Sequence, residues 1–334
     1  MMIRAKKVLN IFILFSLLTG GLLCLGNEIT WAGVGTTGYT FLTLPVGARP
    51  VSMGEAFVAI SDDSNALFWN PAGLVQVQKP EVNMTHLAWL EEISQENFYA
   101  VIPLRQAGTV GCGLNYLHTQ LLANRDNRDA ENSFYFSDLA LTLSYAKNLD
   151  KRMLGGVSLK FINEAISVDS LSSLAAAVDL GLIARLNNDL SFGCSIQNIG
   201  LGLSGLKGNN EQLPLTLRGG LGYWSSTSAL VLALDIEKPI NDDFYLHTGA
   251  EFNQQGILGG ILSERIGYIQ RINSAGNQWG MLSGLRLGLG FMISNGIQID
   301  YALEPFGEDL GYTHRISLGM ELSTDRVRSI SKHH

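Results

Sequence analysis

Residues 190–197 read Leu190-Ser191-Phe192-Gly193-Cys194-Ser195-Ile196-Gln197. Leu190, Phe192, Cys194 and Ile196 would point one way, and Ser191, Gly193, Ser195 and Gln197 the other. That period of two is the signature of a strand with one apolar face. The pattern recurs on both sides of this run. Leu139, Leu141, Leu143 and Tyr145 alternate with Ala140, Thr142 and Ser144. Val157, Leu159 and Phe161 alternate with Ser158 and Lys160. Leu213, Leu215 and Leu217 stand against Thr216 and Arg218, and Leu230, Leu232, Leu234 and Ile236 against Ala233, Asp235 and Glu237. The last runs set Leu285–Ile293 against Arg286, and Ile316, Leu318, Met320 and Leu322 against Arg315, Ser317, Gly319 and Glu321. The polar faces carry charge at Asp179, Arg218, Asp235, Glu251, Arg286, Arg315 and Glu321 but are otherwise small and rich in glycine.

Two architectures share this alternation. A soluble sandwich turns its polar face outward; a membrane barrel turns it toward a lumen. Run length favours the barrel, since about 9–11 tilted residues cross a bilayer. Fourteen strands are expected, at 81–90, 96–104, 108–118, 135–147, 152–163, 174–187, 189–198, 213–224, 228–238, 244–253, 258–270, 282–294, 296–304 and 312–323. The number is even, as in bacterial barrels. The connections sort by parity. Those after strands 2, 4, 6, 8, 10 and 12 are short and include Asn295-Gly296, a two-residue hairpin signal. Those after strands 3, 5, 7, 11 and 13 are long, and those after 1 and 9 moderate. Short periplasmic turns opposite long outer loops are the habit of outer-membrane barrels. Trp89, Tyr116, Tyr145, Tyr223, Trp224 and Tyr301 fall near strand ends, where interfacial girdles form. The sequence therefore specifies an all-β, 14-stranded antiparallel transmembrane β-barrel over residues 81–323, ahead of a basic tail at 324–334.

Before the strands lies GARPVSMGEAFVAISDDSNALFWNPAGL, residues 47–74, with a different texture. Ser52 and Glu55 have the spacing of a capping box. Met53, Ala56, Phe57 and Ile60 recur at helical spacing. Asp62, Asp63 and Ser64 can cap a second helix. Asn70-Pro71 should end it, because the residue before proline avoids the α region, and Gly73 can then turn the chain left-handed. The expectation is a helical plug over residues 33–80, seated at the periplasmic end of the lumen. Its marked positions are Gly47, Arg49, Met53, Gly54, Asp62, Asp63, Asn70, Pro71, Ala72 and Gly73. A charge facing a closed lumen needs a partner, so Arg49, Asp62 or Asp63 should pair with a wall charge such as Arg218, Arg286 or Glu321. Upstream, Arg4, Lys6 and Lys7 precede the apolar run 8–25, and Thr30-Trp31-Ala32 offers a small-residue cleavage site. This is the pattern of a signal peptide over residues 1–32.

Composition narrows the function. The 334 residues include 30 acidic and 23 basic side chains, for a net charge of −7. That balance, with no basic patch, argues against nucleic-acid binding. The six histidines are scattered, at 86, 118, 247, 314, 333 and 334. Cys112 and Cys194 sit in glycine-flanked strands without metal-ligand spacing. No phosphate loop or catalytic constellation is present, so neither cofactor nor enzymatic activity is expected.

Plug and barrel together resemble the PorV/PorQ family. The likeness rests on residues 47–74, Asn115-Tyr116, Ser137-Asp138-Leu139-Ala140-Leu141, Gln197-Asn198-Ile199-Gly200 and Leu213-Pro214-Leu215-Thr216-Leu217-Arg218. It extends to the FadL-type barrels, where an Asn-Pro-Ala motif belongs to an N-terminal hatch; Asn70-Pro71-Ala72 stands in the matching place. The resemblance implies the bacterial outer membrane and two main roles. In one, the barrel is a type IX secretion component that binds exported cargo or the translocon. In the other, it is a FadL-like transporter of hydrophobic small molecules, with an apolar pocket between plug and wall. An outer-membrane hydrolase is a third, minor reading.

Overall fold

The computed structural model describes residues 37–89, 93–119, 135–167, 171–204, 211–225, 229–272, 281–305 and 311–322. The expected signal peptide and the tail at 324–334 lie outside them. The described chain is a closed antiparallel barrel of fourteen strands in sequence order. The strands are β1 (Glu81–Ala88), β2 (Ile93–Pro103), β3 (Thr109–Thr119), β4 (Phe136–Asp150), β5 (Met153–Ile166), β6 (Leu171–Arg185) and β7 (Leu190–Ser204). They continue as β8 (Thr216–Trp224), β9 (Leu230–Pro239), β10 (Phe244–Ile257), β11 (Gly260–Ile272), β12 (Leu285–Ile293), β13 (Ile297–Pro305) and β14 (Tyr312–Glu321). The seam closes where β1 pairs with β14, from Glu81 opposite Glu321 to Ala88 opposite His314. No helix among the described residues is long and apolar enough to cross a membrane. The crossing is made by strands, whose closure leaves no unpaired edge in the hydrocarbon.

Alternation decides which face meets lipid. On β4, Leu139, Leu141, Leu143 and Tyr145 are exposed while Ala140, Thr142, Ser144 and Ala146 are buried. On β9, Leu232, Leu234 and Ile236 are exposed, with Val231, Ala233, Asp235 and Glu237 buried between them. On the strands, then, the exposed side chains are largely leucines and isoleucines, while charged ones such as Asp179, Asp235, Arg265 and Arg315 are buried, the inverse of a soluble protein.

β7 departs from the expected pattern. It runs on to Ser204, and its register against β6 shifts between Val178 and Leu180. Asn198 takes a left-handed conformation at φ 62 there. An extra residue at a bulge resets the alternation, so Ile199, Leu201 and Leu203 still face outward. Leu213, expected on an outward strand face, instead lies buried inside, before β8 begins.

The plug fills the lumen but is not a helix pair with a capping box. Its ordered pieces are a 3-10 turn (Thr40–Thr43), α1 (Ala48–Ser52), α2 (Ala66–Trp69) and a second 3-10 turn (Pro71–Gln76). Ser52 ends α1 rather than starting it, and its hydroxyl donates to Arg49 O at 2.9 Å. The helix stops because Gly54 and Glu55 both turn left-handed, at φ 64. Met53, Ala56, Phe57 and Ile60 are all fully buried, but from turns rather than along a helix face. The N-cap of α2 is Asn65 rather than Asp62, Asp63 or Ser64, and no side chain caps the helix; Asp63 instead fixes Asn65, its Oδ1 accepting from the Asn65 backbone N–H and side-chain amide at 2.9 Å each. Asn70 is extended (φ −160), and its Oδ1 accepts from Ala72 N at 3.1 Å, which starts the second 3-10 turn. Gly73 is not left-handed; it lies inside that turn, where a Cβ would strike the Ser61 carbonyl.

Candidate functional site

The lumen is built from the plug outward. Phe57, Phe68 and Trp69 pack edge to face, with ring centroids 6.4 Å (Phe57–Trp69) and 5.2 Å (Phe68–Trp69) apart. Around them Met53, Ile60, Leu67 and Leu74 join the inward-facing Tyr99, Val101, Ala146, Val231 and Ala233 in one buried cluster. Elsewhere plug backbone lies directly on wall backbone. At Gly181 an added Cβ would strike Asn70, at Gly193 the Val58 carbonyl, and at Gly267 the backbone of Gly54. The glycine-rich polar face is therefore a set of seats for the plug.

Charges fasten the same contact. Arg49 Nη1 lies 2.5 Å from Asp62 and 2.9 Å from Asp63, and its Nε lies 2.9 Å from Glu251 on β10. Glu251 also receives Arg265 at 2.6 Å, and Arg265 reaches Asp300 at 2.6 Å. Arg49 thus pairs with a wall charge as expected, but the partner is Glu251 rather than Arg218, Arg286 or Glu321. Burial pushes the Asp62 carboxyl above its usual range; Arg49 pulls against that shift and Asp63 adds to it. Arg218 sits 3.0 Å from Glu237, with its guanidinium 4.6 Å over the Trp69 ring. Asp235 accepts the Val58 N–H at 2.8 Å. Arg315 pairs with Glu304 at 3.2 Å and donates to Pro45 O, while Arg286 stands 3.8 Å from the same glutamate. Glu321 lies at the short-turn rim, 2.6 Å from Lys79. Lys160 and Asp179 form a further buried pair at 2.7 Å.

Plug residues therefore touch five of the seven wall charges read from the sequence: Arg218, Asp235, Glu251 and Arg315 in the lumen and Glu321 at its rim. Gly47 caps α1 at φ 80, and Pro71 and Ala72 rest on Gly156 and Gly181. Sequence reasoning missed Arg265, which sits in an irregular strand pattern. It also missed Tyr39 and Phe41, which precede the motif.

Those two residues mark a second region. The segment from Tyr39 to Leu42 climbs into the long-loop half of the barrel, beyond the periplasmic end where the plug was expected. Tyr39, Phe41 and Leu42 pack there against inward-facing Leu117, Ala140, Ile162, Ala175 and Ala177, and against Leu213. The Tyr39 hydroxyl contacts the Ser173 hydroxyl and donates to Leu174 O at 3.1 Å. This is a second apolar cluster in the lumen, beside the one around Trp69, and plug side chains fill it. At the opposite end, a cavity of about 460 Å³ has a mixed lining, with Arg49, Asp62 and Glu251 beside Trp224, Leu230 and Phe291. Cys112 and Cys194 are free thiols.

No protein-family model matches this sequence, and no curated protein matches it. Solved structures do. The toluene transporter TbuX of Ralstonia pickettii superposes with a TM-score of 0.58 at 13 % identity, over 83 % of this chain and 98 % of that one. The CymD monoaromatic hydrocarbon channel gives 0.57 at 13 %, over 83 % and 97 %. A FadL homologue of Pseudomonas aeruginosa gives 0.51 at 9 %, over 80 % and 96 %. At these identities the likeness is one of fold, and the fold is that of FadL-type barrels. These neighbours are channels and transporters, and nothing in the fold or the comparisons supports the PorV/PorQ assignment or a secretion partner.

Proposed function

We propose that this chain is an outer-membrane channel for small hydrophobic molecules, with its N-terminal plug as the gate. The observation that carries the reading is the apolar wall surface of Leu117, Ala140, Ile162, Ala175 and Ala177, which Tyr39, Phe41 and Leu42 of the plug cover and which becomes a chamber when they move aside. A pore for ions or sugars gains nothing from burying such a surface, whereas an apolar solute gains about 25 cal/mol per Å² of contact. Three alanines leave room for a flat or slender molecule once Tyr39 and Phe41 move aside. The FadL-type fold, and the hydrocarbons named for TbuX and CymD, agree with this chemistry and with an outer-membrane location. The secretion reading would call for a partner-binding surface at the outer loops, and no described feature favours one.

The test is uptake. Cells lacking the protein should take up a labelled monoaromatic or long-chain acyl compound more slowly, and the wild-type gene should restore the rate. Ala175→Trp with Ala177→Trp fills the chamber and should hold uptake at the level of the deletion while the barrel still inserts. Unchanged uptake in the deletion strain, together with loss of secreted proteins, would overturn the channel reading in favour of secretion.

A further inference from the structure

Gly54 and Glu55 stand together in the left-handed region, both at φ 64. Glycine takes that conformation freely; a glutamate there is uncommon and persists where its surroundings over-determine it. Here the surroundings are β10 and β11. A Cβ on Gly249 would strike the Met53 backbone, and one on Gly267 the Gly54 backbone. The turn brings the Glu55 carboxylate to Glu237 of β9 and His247 of β10, and the ligand atoms of the three lie within 4.8 Å of one another.

The histidine ring is oriented by the plug. Its Nδ1 is 2.9 Å from Gly54 O. A carbonyl only accepts, so Nδ1 carries the hydrogen, and a neutral ring then turns the bare Nε2 lone pair on Glu237 Oε2, 3.0 Å away. The residue is 1 % exposed, and in this neutral tautomer Nε2 has no hydrogen to share with Glu237 and no other hydrogen-bond partner among the described residues. Two facing lone pairs in a dry interface call for a positive charge between them. Charge balance says how much. Glu55, Glu237 and Asp235 are opposed by Arg218, which binds Glu237 at 3.0 Å, so three negative charges face one positive. A proton on His247 cancels half of the excess; a divalent cation cancels all of it.

We propose that Glu55, Glu237 and His247 bind a divalent cation of the zinc class and so clamp the plug turn 53–55 to the barrel wall. One imidazole nitrogen with carboxylate oxygens suits zinc, whereas calcium and magnesium favour oxygen alone. Two ligands each about 2.0–2.1 Å from zinc stand roughly 3.3 Å apart at a tetrahedral angle, close to the His247–Glu237 separation. Metal-binding histidines commonly donate their other N–H to a carbonyl, as Nδ1 does to Gly54, and ligating carboxylates are commonly held from behind, as Arg218 holds Glu237. Glu55 belongs to the plug and the other two to the wall, so the ion bridges the two parts whatever solute the barrel carries.

The experiment uses the full, untagged chain in detergent, in a Cys112→Ser background because that thiol is exposed. After chelator treatment and dialysis, zinc chloride is titrated calorimetrically and bound zinc is measured by mass spectrometry. One zinc per chain is expected, with a rise in the thermal unfolding midpoint. His247→Gln and Glu55→Gln should each weaken binding by about tenfold or more, and cobalt in the wild type should give a visible d–d band that both variants lose. Should His247→Gln fail to fold, Glu55→Gln decides, because its side chain projects from a turn. Absence of saturable zinc binding to the wild type, or equal affinity in Glu55→Gln, overturns the proposal.

Discussion

Arg49 joins the acidic pair of the plug to the barrel wall. It neutralises Asp62 and Asp63 of its own segment and Glu251 of the wall, and Glu251 is shared with Arg265. Removing one partner of a buried ion pair strands the rest, at a cost of roughly 3–5 kcal/mol. Arg49→Met should therefore destabilise the folded barrel by about that much in urea unfolding from detergent. Adding Glu251→Gln should relieve part of the loss, because one stranded carboxylate is gone. Strict additivity, within about 0.5 kcal/mol, would mean that Arg49 and Glu251 are not coupled. Asn70 makes a smaller contribution of a different kind. Its amide donates to Val58 O at 2.7 Å and Leu182 O at 3.2 Å, so it ties plug to plug and plug to wall. Asn70→Ala removes both hydrogen bonds and should cost about 1–3 kcal/mol on the same assay.

At the scale of elements, the contact between the plug and the strands depends on what the strands lack. β6, β7 and β11 present Gly181, Gly193 and Gly267 where plug backbone touches the wall. Any side chain there must displace either the strand or the plug. The strand is held on both sides by ladders, while the plug is held by side chains and short turns, so the plug should move. Gly181→Val and Gly193→Val should each cost about 1–3 kcal/mol through overpacking. Circular dichroism should still report an intact barrel, while limited proteolysis should cut within residues 48–76 faster than in the wild type. Cleavage as slow as in the wild type would show that the wall yields instead. The same principle explains why helical spacing misled at Met53–Ile60. Those residues are apolar because the plug core needs them, but the close approach at Gly249 and Gly267 bends the chain at Gly54 and Glu55 before a helix can use the pattern.

For the whole molecule, the consequence is that the lumen is closed by a removable part. The wall charges Lys160–Asp179, Arg218–Glu237 and Arg265–Asp300 pair among themselves, so the barrel keeps most of its internal neutrality without the plug. A chain lacking residues 37–76 should thus still insert, and in planar bilayers it should conduct ions where the full chain does not. Equal conductance of the two would assign the closure to wall side chains or loops instead of the plug.

The barrel itself was legible from residues alone. Period-two alternation fixes which side chains meet lipid, and parity of loop length fixes which rim carries the turns, although the connection after β5, expected long, is only 167–170; both are local properties of a chain whose neighbours in sequence are neighbours in space. Strand ends came within a few residues, except where the Asn198 bulge let β7 continue past its apparent turn. The plug was legible as a unit, because its texture differs from every strand, but its interior was not. The choice of Glu251 as partner for Arg49, the meeting of Glu55 with His247, and the apolar chamber under Tyr39 all join positions more than a hundred residues apart, or oppose strands that only closure brings together. His247 looks in sequence like one more scattered strand histidine; only Gly54 O on one nitrogen and Glu237 on the other give it a role. Sequence set the wall because its hydrogen bonds link consecutive strands, and tertiary structure alone decided the lumen because its contacts run across the barrel, where no local pattern records them.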